Sequence, residues 1–414
     1  MSGDAPGTGH GNGTGSDGTP SVPVPSPAVP APKPAGGTFP VPVPSHPTIA
    51  QMRATLAGNL VPLLFASICA VGVIAGDLRL SSVLYEVGER VFRNLFLVLA
   101  LVIPVIAGLG LNFAIVLGAM AGQIGLMVAE SGEVGGIGGV ALAAVVSLPI
   151  AALLGIATGT LFNKTRGREM IAGIILGFFA NGVYQLLFLI LAGPVIPLRD
   201  PDLLLPQGMG LRNTIDLVST RRGLDSPFGA EAGFDGAWAI RAGGTTWIEI
   251  PSFTLAACVL LVLSIRWFLR TKLGQDLRAV GQDSHVAEVA GIRVGRARII
   301  AICLSMALAA VGQVVFLQNM GVMNTFTSHE QVGFYAIAAL LVGGATVSRA
   351  SVKNAVVGTV LFHALIVIVS RAAQKSETPQ IGEYFREFFV FAIIGATLAL
   401  HAWRGHRGKT PRSA

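Results

Sequence analysis

The 414-residue sequence is short of charge. Asp, Glu, Lys and Arg together make up 12% of it, about half the roughly one quarter usual in soluble globular domains. It is also short of cysteine. Cys69, Cys258 and Cys303 each lie inside an apolar run, which excludes a disulfide framework and reads as three small buried hydrophobes. No Cys/His cluster has metal-ligand spacing, so no metal site is expected. Enzyme signatures are missing too: there is no GxSxG, no HExxH and no Walker sequence. The nearest approach, WRGHRGKT by the C-terminus, has Trp403 where a phosphate loop needs its first glycine, and no strand precedes it. No catalytic residue and no cofactor is therefore expected in this chain. A signal peptide is not expected either, because no basic start leads into an apolar stretch.

What is present is grease. Hydrophobic residues make up 52% of the chain, with 52 glycines. Many apolar runs approach the roughly 20 residues that cross a bilayer core as helix. Residues 1–48 differ: they hold 12 of the 23 prolines and cannot bury a core, so a disordered, partly polyproline II tail is expected, either a solvated leader or a docking segment.

Ten apolar segments follow: 56–76, 94–109, 112–129, 139–162, 170–192, 251–270, 297–319, 333–347, 355–371 and 385–403. The second and third are contiguous over 94–129, too long for one tilted span, and GLGLN at 108–112 is the natural break. Segment 333–347 is short and could be re-entrant or broken. With the N-terminus in the cytoplasm, the short inner segments 163–169, 271–296, 348–354 and 404–414 hold 13 Lys or Arg. The short outer loops 77–93, 130–138, 320–332 and 372–384 hold 4. This asymmetry fits the positive-inside rule. The fold class is thus an all-α polytopic membrane protein of about ten transmembrane helices occupying 49–403. It carries a long outer loop at 193–250, a cytoplasmic segment at 271–296 and a basic cytoplasmic tail at 404–414. The long outer loop reads equally as a docking surface or a solvated insertion.

Glycines recur four apart at Gly118 and Gly122, Gly155 and Gly159, and Gly173 and Gly177. That spacing lets helix backbones approach closely and is read as packing. Ionisable residues within the spans are scarce, which argues against an ion-coupled carrier with a carboxylate relay. His363 is an exception and reads first as a helix-contact residue. His329 and Glu330, adjacent in an outer loop, read as solvated, and Glu130 as scattered. Uncharged amides are more frequent: Asn112, Gln123, Asn181, Gln185, Gln313, Gln318 and Asn319. They are either interhelical glue or a path for a neutral hydrogen-bonding solute. Gln123, Asn181, Gln185 and Gln313 are the candidates for a translocation pathway.

The polar stretch RAVGQDSHVAEVAGIRV from Arg278 lies between two spans. Asp283 or Ser284 can cap a helix start, and Gly291 can end it. A helix this short is unstable alone in water, and its small apolar residues suit a groove on a partner. The stretch resembles the cytoplasmic coupling segment of permease subunits of ABC importers of the ribose and branched-chain amino-acid kind. The resemblance rests on Thr271, Gly274, Arg278, Ala279, Gly281, Ala287, Ala290, Gly291 and Ile292, then Ser305, Gly312, Gly343, Gly344 and Gly358. It covers roughly 55–403 and is strongest over 266–360. The chain departs from the family pattern at Asp283 (usually Asn), Val286 (usually Ala) and Met306 (usually Gly). SRASVKN replaces a Gly-rich turn, and GLGLNFAIVLGAMAGQIGL lacks the acidic residues usual in the sugar permeases.

The resemblance implies a permease that hydrolyses nothing itself. It implies ATP-binding cassette ATPase subunits docked beneath, an extracytoplasmic solute-binding protein above, and a second permease, identical or homologous, in the membrane lipid. No nucleic acid is involved. Arg278, Gly281, Asp283, Ser284, Val286, Ala287, Ala290, Gly291 and Ile292 would couple the ATPase to the bundle. The solute would be neutral and polar, sugar or nucleoside-like. Branched-chain amino acids are the alternative, and an ion-coupled secondary transporter follows them.

Overall fold

The computed structural model describes residues 60–195, 203–225, 237–242, 245–374 and 381–407. The Pro-rich tail of 1–48, residues 408–414 of the basic tail and parts of loop 193–250 lie outside them. The described chain is a helical bundle. Its elements are α1 (Leu60–Ala75), α2 (Leu80–Ala100), α3 (Val102–Ile106), α4 (Ile115–Ser131), α5 (Gly136–Lys164) and α6 (Glu169–Ile190), then strands β1 (Thr214–Asp216), β2 (Ala237–Ala242) and β3 (Thr245–Pro251). After these come α7 (Ser252–Phe268), α8 (Lys272–Gln282), α9 (Ser284–Val289), α10 (Val294–Met320), β4 (Val322–Asn324), α11 (Glu330–Val342), α12 (Val352–Gln374) and α13 (Ile381–Arg407). Each of the ten apolar segments meets a helix. Four helices are by themselves long and apolar enough to cross a membrane: α5, α6, α10 and α12 over Val352–Ala372. A fifth span arises if α7 and α8, bent by 72°, are taken together.

The break expected at 108–112 is real. α3 ends at Ile106 and α4 begins at Ile115. Between them Gly108 adopts φ +73°, a backbone that side chains with a Cβ resist. One boundary differs from expectation. Residues 80–93, read as outer loop, form the first half of α2. Charge there is tolerated because it is paired: Arg371 of α12 donates to the Glu86 carboxylate.

α10 is the centre of the bundle, and the four-residue glycine spacing explains how. A Cβ on Gly118 or Gly122 of α4 would meet the Met306 or Ala310 carbonyl oxygen of α10 at 2.6 and 2.5 Å. A Cβ on Gly155 or Gly159 of α5 would meet the Cα of Cys303 or Ile299 at 2.8 and 2.9 Å, and these positions share one face of α10 with Met306 and Ala310. Both α4 and α5 therefore lay backbone on that face of α10, the close approach that small residues permit. At one end of α10, Arg298 donates to the Phe162 carbonyl at 3.3 Å and to the Glu169 carboxylate, joining α5, α6 and α10. The α11–α12 turn closes the same way: Asn354 Nδ2 donates to the Gly343 carbonyl at 2.7 Å.

The described part of the long loop is folded onto the other end of the bundle. β1 pairs antiparallel with β4, Ile215 opposite Met323. Glu130, at the end of α4, accepts from the Ser219 backbone N–H at 2.7 Å and the Thr220 hydroxyl at 3.0 Å. Asp225 accepts from the Thr254 N–H and hydroxyl at 3.0 and 2.7 Å, capping the start of α7. These buried carboxylates are clamps, and Glu130 is not a scattered residue.

Gly122→Leu should destabilise the chain by about 1–3 kcal/mol, the usual cost of overpacking, seen as a lowered unfolding midpoint in detergent. Gly182→Ala, with open space where its Cβ would go, should not lower it. Equal effects would refute the packing assignment.

Candidate functional site

The four candidate pathway amides converge. They come from three helices, α4, α6 and α10, and all reach the connection between β4 and α11. Gln123 Nε2 donates to the Asn324 carbonyl at 3.1 Å. Gln313 Nε2 donates to the Ser328 carbonyl at 3.3 Å. Gln185 Nε2 lies 3.4 Å from both the Phe326 carbonyl and Asn181 Oδ1. Asn181 Nδ2 donates to the Glu330 carboxylate. Amides without water must find such partners, and backbone of an irregular connection supplies them.

The connection dips into the bundle. Gln123 lies eight residues before the end of α4 at Ser131, so Asn324 sits about 12 Å in from that end at 1.5 Å per residue. Asn324 Oδ1 shapes the turn by accepting from the Phe326 and Thr327 N–H groups at 3.2 and 3.1 Å, and Ser328 Oγ accepts from the Asn324 N–H at 2.9 Å. α11 starts from this depth. That is why its 13 residues are too few to cross a bilayer alone.

His329, read from sequence as solvated, is instead fully buried at 0% exposure. Its Nδ1 lies 2.5 Å from Gln123 Oε1 and its Nε2 2.8 Å from Asn181 Oδ1. The Tyr184 ring stands edge-on to it, with centroids 4.8 Å apart. Glu330 is half-buried and opens onto a cavity of about 250 Å³ between α6, α11 and α13. Phe113, Phe178, Phe334, Tyr335 and Phe391 form its aromatic wall, and Asn181, Glu330, Gln331 and Glu387 its polar groups. Among the described residues no lysine or arginine lines it, and Arg386 lies over the Tyr335 ring, 5.8 Å from its centroid. Such a wall offers flat apolar faces and hydrogen-bond acceptors.

Sequence reasoning missed His329, Glu330, Glu387 and the aromatic wall. A signal was available in the polar run NTFTSHE, which precedes an unusually short apolar segment. A polar turn before a short span is the mark of a broken helix at a binding site. His363 is buried on α12, edge-on to Phe362. Asn112 Nδ2 donates to Ser305 Oγ at 3.3 Å and Gln318 Oε1 accepts from the Leu224 N–H at 3.4 Å, so both amides act as glue. Among the described residues no group of three His, Cys, Asp or Glu is placed to hold a metal ion.

At the opposite end of the bundle, α8 is followed directly by the short α9. Thr271 caps α8, accepting from the Gly274 N–H. Asp283 caps α9, accepting from the His285 and Val286 N–H groups at 2.8 and 3.1 Å, and Gly291 follows its end at φ +83°. Ser284 and Ala290 are exposed, as is Arg278 on α8, while Ile292 is half-buried. Ala287 is 2% exposed and packs with Leu277, Val280 and Val294, whereas Val286 and Val289 are 62% and 79% exposed. Of the small apolar residues expected to fit a partner's groove, Ala287 thus faces this chain, while Ala290 and the two valines face outward. Gly281 touches the α3–α4 break: a Cβ there would meet the Ile106 carbonyl oxygen at 1.9 Å.

A family model described as the permease component of a branched-chain amino acid transport system matches residues 90–398. Among curated proteins, the nucleoside ABC transporter permease protein NupB of Lactococcus lactis subsp. cremoris is 31% identical over 147 residues, 34% of this chain and 37% of that protein. The probable ABC transporter permease protein YphD of Escherichia coli is 30% identical over 126 residues, 30% of this chain and 37% of that protein. The xylose transport system permease protein XylH of Haemophilus influenzae is 24% identical over 154 residues, 37% and 38% of the two chains. Each match spans under half the relative's length. No solved structure matches the chain.

Gln123→Leu strips partners from His329 and from the Asn324 carbonyl. It should cost about 1–3 kcal/mol, the penalty of buried unsatisfied groups. Gln185→Leu, which removes only two long bonds, should cost less. Denaturant titration of both variants tests this order, and the reverse order would refute the network.

Proposed function

The chain belongs to the family of branched-chain amino acid transport system permease components, and from that premise we propose that it is the membrane-spanning permease subunit of an ATP-driven importer. It would pass a small neutral polar solute, sugar or nucleoside-like, across the cytoplasmic membrane by alternating access. ATP hydrolysis would belong to separate ATPase subunits, and delivery to an extracytoplasmic solute-binding protein. A second permease, identical or homologous, would complete the channel. Both termini would be cytoplasmic, with 271–296 inside and 193–250 outside.

The observation that carries this reading is α9. A six-residue helix has no stability of its own, yet this one is capped at both ends, anchored inward by Ala287 and left with Val286 and Val289 facing out. Exposed valines on a fixed, short helix suit the groove of a partner that pushes. Arg278, Asp283, Ser284, Ala290 and Ile292 would frame that contact. Gly281, packed on the Gly108 break, would pass the motion to α4.

The solute class follows from the cavity and from Gln123, Asn181, Gln185 and Gln313 behind it. Hydroxyl and N–H donors of a sugar or nucleoside would meet Asn181, Glu330 and Glu387, and its ring would lie against the aromatic wall. Among the described lining residues the charged groups are the carboxylates Glu330 and Glu387, which repel an amino-acid carboxylate and weigh against the branched-chain alternative. Two relatives are named as nucleoside and xylose permeases, in keeping with a neutral solute.

Affinity purification of the tagged chain from its native membrane, with mass spectrometry, should recover an ATPase subunit and a binding protein. Val289→Glu should leave the fold within about 0.5 kcal/mol, as exposed substitutions do, while cutting ATPase recovery and uptake about tenfold or more, the size of a lost interface anchor. Normal uptake by Val289→Glu, or a preparation lacking any ATPase in gentle detergent, would sink the reading.

A further inference from the structure

Hydrogen-bond bookkeeping around His329 leads to a result that the importer reading does not contain. The Asn324 carbonyl can only accept, so Gln123 must present its Nε2 there and its Oε1 to His329. His329 Nδ1 therefore carries a hydrogen. If the imidazole is neutral, Nε2 is a bare lone pair, and it faces Asn181 Oδ1, a second acceptor, at 2.8 Å. Rotating the Asn181 amide does not remove the conflict. It turns Nδ2 to the imidazole but sets Oδ1 against the Glu330 carboxylate, again acceptor on acceptor. The chain Gln123–His329–Asn181–Glu330 closes only with one proton more than a neutral imidazole and an ionised carboxylate supply.

That proton has two places to be. With Asn181 as it stands, it makes His329 an imidazolium. With Asn181 rotated, it protonates Glu330. Gln185 favours the first, because its Nε2, fixed by the Phe326 carbonyl, points at Asn181 Oδ1. Desolvation of His329 favours the second. The count is the same in both.

We propose that His329, Asn181 and Glu330 form a proton-binding site at the edge of the cavity, and that its proton latches the 321–330 connection onto α4 and α6. Glu330, half-buried and lining the cavity, is where the proton enters from water and returns to it. The titratable and charged groups around the site are Glu330 on α11, Tyr184 on α6 and, at the cavity wall, Tyr335 on α11 and Glu387 on α13, with Arg386 over the Tyr335 ring. α4 and α10 present the uncharged Gln123 and Gln313 to the connection, and α4's Glu130 is engaged with Ser219 and Thr220. The proton is bound when the connection is seated and released when it lifts, so the latch holds at low pH and weakens as pH rises. The inference rests on the importer reading only in treating the cavity as the solute's path.

The test is hydrogen–deuterium exchange of the full chain in lipid nanodiscs, read as protection factors at 322–329 across neutral to alkaline pH. In the wild type, protection should fall about tenfold per pH unit above the midpoint, the slope of one proton. E330Q supplies an N–H in place of the missing proton, so its protection should be flat with pH. A wild type that is itself flat, or an E330Q that keeps the wild-type slope, overturns the proposal. Should E330Q fail to fold, nitrogen-15 spectra of the ring-labelled wild type and the carboxyl stretch of Glu330 decide the matter. An imidazolium or a protonated Glu330 at the acid end supports the site, and a neutral ring beside an ionised carboxylate there refutes it. None of these readouts uses ATP or transport, so loss of the importer reading would show separately, as absent uptake and absent partners.

Discussion

The rest of this structure depends on backbone lying against backbone along α10. Gly118 and Gly122 of α4, and Gly155 and Gly159 of α5, leave no room for a methyl group before the neighbouring main chain. In lipid there is little hydrophobic drive to bring helices together, so close packing must supply the association. It also fixes separations that larger side chains would blur. Because α4 is held this tightly, Gln123 arrives at a defined depth and can meet a carbonyl of a connection that enters from the far end.

That connection is the second consequence. Irregular backbone within a bundle survives only where its polar groups are answered. Here the answer comes from amides on α4, α6 and α10, from Asn324 and Ser328 within the turn, and from the β1–β4 ladder above it. Without that set the turn could not descend, α11 could not start inside the bundle, and Glu330 would not open onto the cavity. The described part of loop 193–250 belongs to the same construction. Glu130 and Asp225 seat it through buried hydrogen bonds, and β1 ties it directly to the turn that carries His329.

The helices were largely legible because apolar runs, Gly breaks and caps are local signals. The break at Gly108, the Asp283 cap and the glycine spacings could all be read from neighbours in the chain. The first half of α2 was not, since Glu86 is neutralised by Arg371, a partner 285 positions away that no window reveals. His329 and Glu330 were misjudged for the same reason. Adjacent polar residues in a short loop look solvated until the loop is known to dip. The amides Gln123, Asn181, Gln185 and Gln313 could be picked by composition, as polar groups in apolar runs, but not that they share one destination.

One of the tightest contacts among the described residues ties α8 to the start of α4. Gly281, at the end of α8, lies against the Ile106 carbonyl and Gly108, where α3 stops and the chain turns into α4. α9 follows directly and is fastened to the same core by Ala287. α8 and α9 are thus packed against the α3–α4 break. Beyond that break, α4 lies against α10 on glycines and holds Gln123 against His329. Close-packed contacts have discrete arrangements rather than continuous ones, so a small displacement at Gly108 either leaves Gln123 bonded to Asn324 or releases it. In that geometry α9 and the buried histidine lie at the two ends of one run of packed elements, from α8 through the Gly108 break to α4.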